Sequence, residues 1–417
     1  MTGQRIVLRR TAGAVALPVA LAMALAMLLY IGIVNGNLLT EQRLSANRHR
    51  AAVAFEAADA GIDWMLGRLN AGDPVDPQCE RRPAPGRPSF REQHAGLPDA
   101  HGAWAPSGLP VACTAGGATW TCQCGSPASV GDNGPTPGSA AAFSVQLEPV
   151  APSHLMRVAS TGCSNPAPPC TGGTAGTGQA DAQARVELSI AHLPALAQWP
   201  AAALTVLGSL QLGSAPWVLL HPDPSSGGLA LHTGGAVAAD RLVTRGPPGT
   251  PAAASMLTAD PALRHTDRPH AFAALFGMHH AAWRTLPTVR HVDCASPCDG
   301  ALRRALGPGG HHTMLWLNGG LHLAEPQQLG TPERPVLVIA DGPVSFAHAV
   351  TVHGLVYTTA SRWQAPAGAE VTGAVVAEGD LHGSGTTVVR HDPQVLQALH
   401  ERTGTFVRVP GSWKDFP

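Results

Sequence analysis

Carboxylates and histidines are the first residues in this chain to test for chemistry. Asp341, Glu378 and Asp380 lie among glycines in the C-terminal half. Two carboxyl groups held roughly 5–10 Å apart in a groove are the apparatus of a sugar-cleaving enzyme. Asp341 and Glu378, however, stand in matching contexts, Ala340-Asp341-Gly342 and Ala377-Glu378-Gly379. An acidic residue before a glycine is turn chemistry, here repeated along the chain. Histidine is abundant at 20 residues, with adjacent pairs at His279-His280 and His311-His312. A helical zinc site wants two histidines four apart with a carboxylate nearby, whereas adjacent histidines point in different directions. The sequence holds no His-Glu-x-x-His, no Gly-x-Ser-x-Gly, no phosphate-binding loop and no Gly-x-Gly-x-x-Gly. The expectation is therefore no enzyme, no metal site and no cofactor.

Cysteine is the other reactive type. The chain has eight, at Cys79, Cys113, Cys122, Cys124, Cys163, Cys170, Cys294 and Cys298. An even count in an exported region reads as disulfides, with 105 possible pairings for eight. Cys163–Cys170 and Cys294–Cys298 suit local loops. Cys122 and Cys124 are too close to pair with each other, which leaves Cys79 and Cys113 as their partners in either combination. A zinc site at Cys122-x-Cys124 would need a second close pair, and none is present.

That these cysteines are exported follows from the N-terminus. Ala14 to Val34 run 21 positions without a charge, roughly 31 Å as a helix, which matches the hydrocarbon core of a bilayer. Arg5, Arg9 and Arg10 precede the run and the first charge after it is Glu41. The positive-inside rule puts residues 1–13 in the cytoplasm and the bulk of the chain outside. Helical periodicity then continues. Phe55, Ala58, Ile62, Leu66 and Leu69 form one apolar stripe, serving either the chain's own domain or a subunit contact, before Gly72 and Pro74 end the pattern. Composition narrows the partners. Charged residues are 13%, the net charge is −1, and a single lysine, Lys414, stands against 26 arginines. No basic footprint for nucleic acid exists, and a mean hydropathy of +0.05 excludes a polytopic membrane protein.

A short basic leader ending in Gly13, a membrane-length run and an amphipathic helix together resemble the class III signal of type IV prepilins. The segment LTEQRLSANRHRAAVAFEAADAGIDWML (39–66) is similar to the N-terminal region of PilX-type minor pilins. Glu41, Ser45-Ala46-Asn47 and the run Ala54–Gly61 carry the likeness, with Asp59 at the second acidic position. The resemblance implies cleavage by prepilin peptidase between Gly13 and Ala14. It also implies helix packing in which Pro18 replaces the glutamate that major pilins carry at the fifth mature residue, which suits a starting or tip position. Expected partners are other minor pilins, the pilus assembly machinery and the inner membrane. The chain would cross that membrane once, with its bulk periplasmic, and then pass to the pilus.

The expected fold class is α+β, mainly β. After the leader (1–13) comes a long helix (14–70), membrane-spanning over 14–34 and amphipathic over 35–70. Residues 71–140 hold 22 prolines and glycines and read as disulfide-stapled loops. Alternation at Phe143-Val145-Leu147, in Leu155–Ser160 and at Val186-Leu188-Ile190 predicts a small antiparallel sheet over 141–195. The stretch "RVASTGCS" (157–164) followed by "AQARVELSI" (182–190) is similar to the PilX-like pattern, as is 354–399. Over 196–400 short β runs recur. Val352-His353-Gly354 and Val371-Thr372-Gly373 lie 19 residues apart, and the two acidic-glycine triplets 37 apart. That spacing predicts a β-solenoid-like domain with a helical insertion near 260–310, followed by a tail at 401–417. The functional expectation is a minor subunit in filament initiation and assembly at the tip. A tip adhesin and a membrane-anchored polysaccharide-active solenoid are the rivals. Replacing Gly13 with a bulky residue is expected to block leader removal, visible as a size shift on a gel; unchanged processing contradicts the prepilin reading.

Overall fold

A computed structural model describes residues 16–82, 87–99, 102–124, 140–151, 154–170, 181–307, 310 and 313–415, with backbone alone at 35 and 37–39. One helix, α1 (Ala16–Ala71, 56 residues), opens it. At 1.5 Å per residue it is roughly 84 Å long. Gly72, at φ +70°, supplies the left-handed residue that stops a helix.

The last third of α1 lies on a six-stranded antiparallel sheet. Strands β1 (Val111–Gly116), β2 (Thr119–Cys124), β3 (Ala142–Val150), β4 (Leu155–Cys163) and β5 (Gln183–Pro194) stand in the order β2-β1-β3-β4-β5. The sixth strand, Gly404–Arg408, pairs with β5. The three strands expected within 141–195 are β3, β4 and β5. The stretch 71–140 is more than loops, carrying the β1–β2 hairpin and a short helix, α2 (Phe90–His94). Ser89 and Glu92 close a capping box on α2. Proline and glycine masked the hairpin because few of its side chains are buried, so apolar alternation is weak. A disulfide holds it instead, between Cys113 and Cys122, which face each other in register. Cys79 takes Cys124, and the two local pairs are Cys163–Cys170 and Cys294–Cys298.

The stretch 401–417 likewise differs from a tail. Gly404 faces Pro194 across the sheet, so everything between them is inserted between two adjacent strands. The end of α1 is fastened to this late strand. Asn70 donates to the Phe406 carbonyl at 3.0 Å and accepts from its N–H at 2.8 Å.

The insertion is built from parallel pairings. Arg290–Asp293, Met314–Asn318, Val336–Asp341, 354–358, 373–377, Ala202–Val206, Leu229–Thr233 and Met256–Leu257 lie side by side in that order. Two further rows repeat it. One runs from Leu321–Leu323 to Val237–Ala239, the other from Gln327–Leu329 to Leu242–Arg245. Gly354 pairs with Gly373, 19 residues on. Both have positive φ, and a Cβ on Gly373 would lie 2.0 Å from the Gly354 carbonyl oxygen, which explains the repeated triplets. Spatial order is a circular shift of chain order. Residues 202–257 form one end, α3 (Pro261–His265), α4 (Arg268–Phe276) and α5 (His280–Arg284) follow, and 290–391 climb from the other end until 373–391 dock on 202–220.

Between the rows lies one core, including Leu315, Val338, Val356, Val375 and Leu204. The first row is covered on its outer side too. Trp316, Ile339, Tyr357 and Val376 pack beneath Phe272, Phe276 and Trp283 of α4 and α5 and Leu396 and Leu399 of α7 (Pro393–Arg402). A strand buried on both faces reads as a continuous apolar run, as Val336–Ala340 does. The helical segment closes with α6 (Asp299–Leu306), after the strand Arg290–Asp293.

Candidate functional site

The surface with the largest unmet physical demand is the N-terminal part of α1. Ala16–Val34 has a mean hydropathy of 2.5 and none of it is buried, so it is long and apolar enough to cross a membrane. Leu17 and Tyr30 are 73% and 70% exposed. Pro18 lies in the first described turn, exposed. Gly13 and Ala14 lie outside the described residues. From Thr40 to Ala52 every side chain is exposed; Arg50 reaches Asp181 of the head at 3.7 Å, and burial begins at Val53.

The docked third has its own chemistry. Ala54, Ala57, Ala58, Ile62, Met65 and Leu69 are buried against the sheet. The small residues are required by β4. A Cβ on Gly162 would lie 2.1 Å from the Ala54 carbonyl oxygen and 2.3 Å from the Ala58 nitrogen. Gly61 is equally confined, by Ser160 and Phe143. Helix backbone and strand backbone therefore meet with no side chain between them. The family-like run Ala54–Gly61 is, physically, a flat strip that permits this approach. Of the stripe expected from periodicity, Ala58, Ile62 and Leu69 are buried and Leu66 half-buried, while Phe55 is 36% exposed. Phe55 sits one position off the seat, about 100° around the helix from Ala54, and packs edge-to-face on Trp413 at 6.0 Å. Asp63 pairs with Arg408.

Arg91 closes the lower end. Its Nε donates to the Leu69 carbonyl at 3.0 Å and its Nη2 to the Gly404 carbonyl at 2.8 Å, and the guanidinium lies 4.9 Å from the Phe406 ring. Burial lowers its pKa to about 10, against a raising influence from Glu92, so it remains charged at neutral pH. Nothing in the sequence marks Arg91 or Asn70, because each bonds to the late strand, Gly404 and Phe406, more than 300 positions away. Beside them is a cavity of about 270 Å³ lined in part by Asn70, Glu92, Trp104, Thr313 and Arg334. Its polar groups bond within the protein: Glu92 with Arg334 at 3.1 Å, Thr313 with Thr403 at 3.4 Å.

The carboxylates tested first lie on the parallel stack. Ala340, Thr358 and Ala377 are in register, so Asp341 and Glu378 occupy the same place two strands apart, roughly 9–10 Å between backbones. Asp341 is exposed and accepts from Thr359 Oγ1 at 3.2 Å. Asp380 accepts from the Ser209 N–H at 2.7 Å and so joins two neighbouring turns of the stack. Glu378 is 5% exposed, beside Tyr357 and Arg268, with His280 Nε2 at 3.6 Å. Burial raises the Glu378 pKa and lowers that of His280. His279 lies next to it at the start of α5, and His311-His312 fall outside the described residues. Among the described residues no three His, Cys, Asp or Glu side chains are grouped to hold a metal.

No protein-family model matches the chain, and no curated protein matches it in sequence. Among solved structures it is similar to the competence-associated pilin ComZ from Thermus thermophilus, at 10% identity over 88% of this chain and 97% of that one, with a TM-score of 0.22. A likeness of that size bears on neither fold nor function.

Gly162→Val is expected to destabilise the head by about 2–3 kcal/mol or more through overpacking against α1, measured by denaturant unfolding. Gly67→Ala, a helical position with open space around it, is expected to stabilise by about 0.5–1 kcal/mol. Equal effects of the two would contradict the close-approach account.

Proposed function

We propose that this chain is a pilin-like minor subunit of a type IV pilus that acts in initiation and assembly of the filament and sits at its tip. One observation carries the reading: a single helix whose first nineteen described residues are apolar and uncovered, while its last third is locked onto a sheet by backbone-close packing. Leaving that apolar length in water costs on the order of tens of kcal/mol, so it needs lipid or other apolar helices. A bundle of like helices, entered directly from the inner membrane, is a second solvent of the same kind. The PilX-type motif, with Glu41, Asn47 and Asp59, and the leader ending at Gly13 support the same reading.

The inserted parallel stack is, in this proposal, a β-solenoid. Its first row is eight strands deep, from Arg290–Asp293 to Met256–Leu257, or roughly 34 Å. A head of that bulk suits the end of a fibre, where no subunit lies above. Pro18, in place of a charge that would neutralise a neighbour's terminal amine, supports the same position. The chain works by assembly and not by catalysis: Glu378 lies under His280 and beside Arg268, not in an open groove. Partners are then the other minor pilins, prepilin peptidase and the assembly machinery.

Deletion of the gene tests this. Loss of pili is the expected result. Normal pili with lost attachment would make it an adhesin, and normal pili with altered polysaccharide turnover an enzyme; either outcome overturns the assembly role.

A further inference from the structure

The circular closure of the parallel stack has a seam, where 373–391 dock on 202–220, and the seam holds two buried histidines. Along one corner of the stack Gly354, Gly373 and His391 follow one another in register. Arg390 pairs with Leu220, which brings His391 against His221. Their rings stack with centroids 3.9 Å apart and planes 14° from parallel. Both residues are buried, at 0% and 1% exposure. His391 Nε2 is 3.0 Å from the Pro200 carbonyl and His221 Nε2 is 3.4 Å from Ser226 Oγ. The Nδ1 atom of each ring has no hydrogen-bond partner.

At Gly354 and Gly373 glycine closes the gap between strands; at the seam two flat rings fill it. The arrangement suits neutral imidazoles only. As placed, neither Nδ1 has a hydrogen-bond partner for an added proton, and two imidazolium rings would face each other at van der Waals distance. We propose that the His221–His391 stack is an acid-sensitive seam, whose protonation releases residues 202–220 from residues 373–391 before the rest of the stack opens.

The charged groups around it are few. Asp223 and Asp392 both favour protonation of His391, and Asp223 that of His221. Asp223 is held by Ser226 and Ser225 and stays ionised to about pH 2, but it is exposed and its pull is screened. Arg245 and Arg390 flank the row with exposed side chains. Burial, joined at His391 by the facing His221, outweighs these attractions and those of the backbone carbonyls of Pro200 at His391 and of His221, Ala201 and Asp223 at His221, lowering His391 to about 4 and His221 below its ordinary value. A histidine whose pKa is depressed in the closed state contributes its full share of stability above about pH 6.5, and loses it as pH falls toward the folded value. Trp217 and Trp363, 5.9 Å apart edge-to-face, lie on the same stretch of the stack and report on it.

Hydrogen exchange on the full chain in detergent, corrected for intrinsic rates, tests this directly. Between pH 7 and 4.5 the opening constant for amides 217–220 and 387–391 is expected to rise on the order of 100-fold, while amides 336–340 and 354–358 keep their protection. His391→Gln and His221→Phe are expected to remove that selective loss. Selective loss that persists in both variants, or wild-type loss that is uniform across the stack, overturns the proposal. Should neither variant fold, the wild-type His391 C2–H titration decides: a midpoint near 4 supports the seam and one near 6.5 refutes it.

Discussion

The apolar stretch of α1 has none of the described residues over it, and apolar surface of that length needs cover. Nineteen consecutive residues have no side chain of the head against them, and no face of that segment is polar enough to be left in water. Every other large feature is compatible with that demand. The docked third of the helix is fixed by Gly162 and Gly61, by Asn70 on Phe406 and by the Arg91 guanidinium. Because the seat is rigid and the protruding part is one continuous helix, a partner that takes up the apolar end also sets where the head is held.

The head meets a second constraint, that of carrying a large insertion without loosening the seat. Its two ends emerge as neighbouring strands, with Pro194 opposite Gly404. The Ala195 N–H continues the pairing by donating to the Thr403 carbonyl at 2.8 Å. Trp283 Nε1, 3.2 Å from the Ala195 carbonyl, and His400 Nδ1, 2.7 Å from the Leu196 carbonyl, bind the connection to the stack. The insertion therefore leaves the sheet through a hydrogen-bonded stem, and the parallel rows are coupled to α1 without a linker.

How much of this the sequence announces depends on the range of the contact responsible. Local patterns were legible: the charge-free run, the periodic stripe, the alternation in β3, β4 and β5, and the glycine triplets that repeat at the 19-residue strand spacing. Phe55 belongs to the periodic stripe yet lies beside the seat, because periodicity gives a face only to within one residue. The strand Gly404–Arg408 read as a tail because its partner precedes an insertion of about two hundred residues, and nothing in five residues advertises that. The β1–β2 hairpin was hidden by a composition that usually signals loops, since few of its side chains are buried and a disulfide joins its strands. Arg91, Asn70 and the histidine seam are likewise products of long-range closure. The circular order of the stack leaves no trace in repeats read along the chain.

The measurement closest to the central claim is photo-crosslinking from the exposed apolar helix in cells that have assembled filaments. A photoreactive residue at Met23 or Leu25, both exposed here at 62% and 58%, is predicted to capture the apolar helices of other filament subunits. Adducts to lipid alone, in cells bearing normal filaments, would contradict the account.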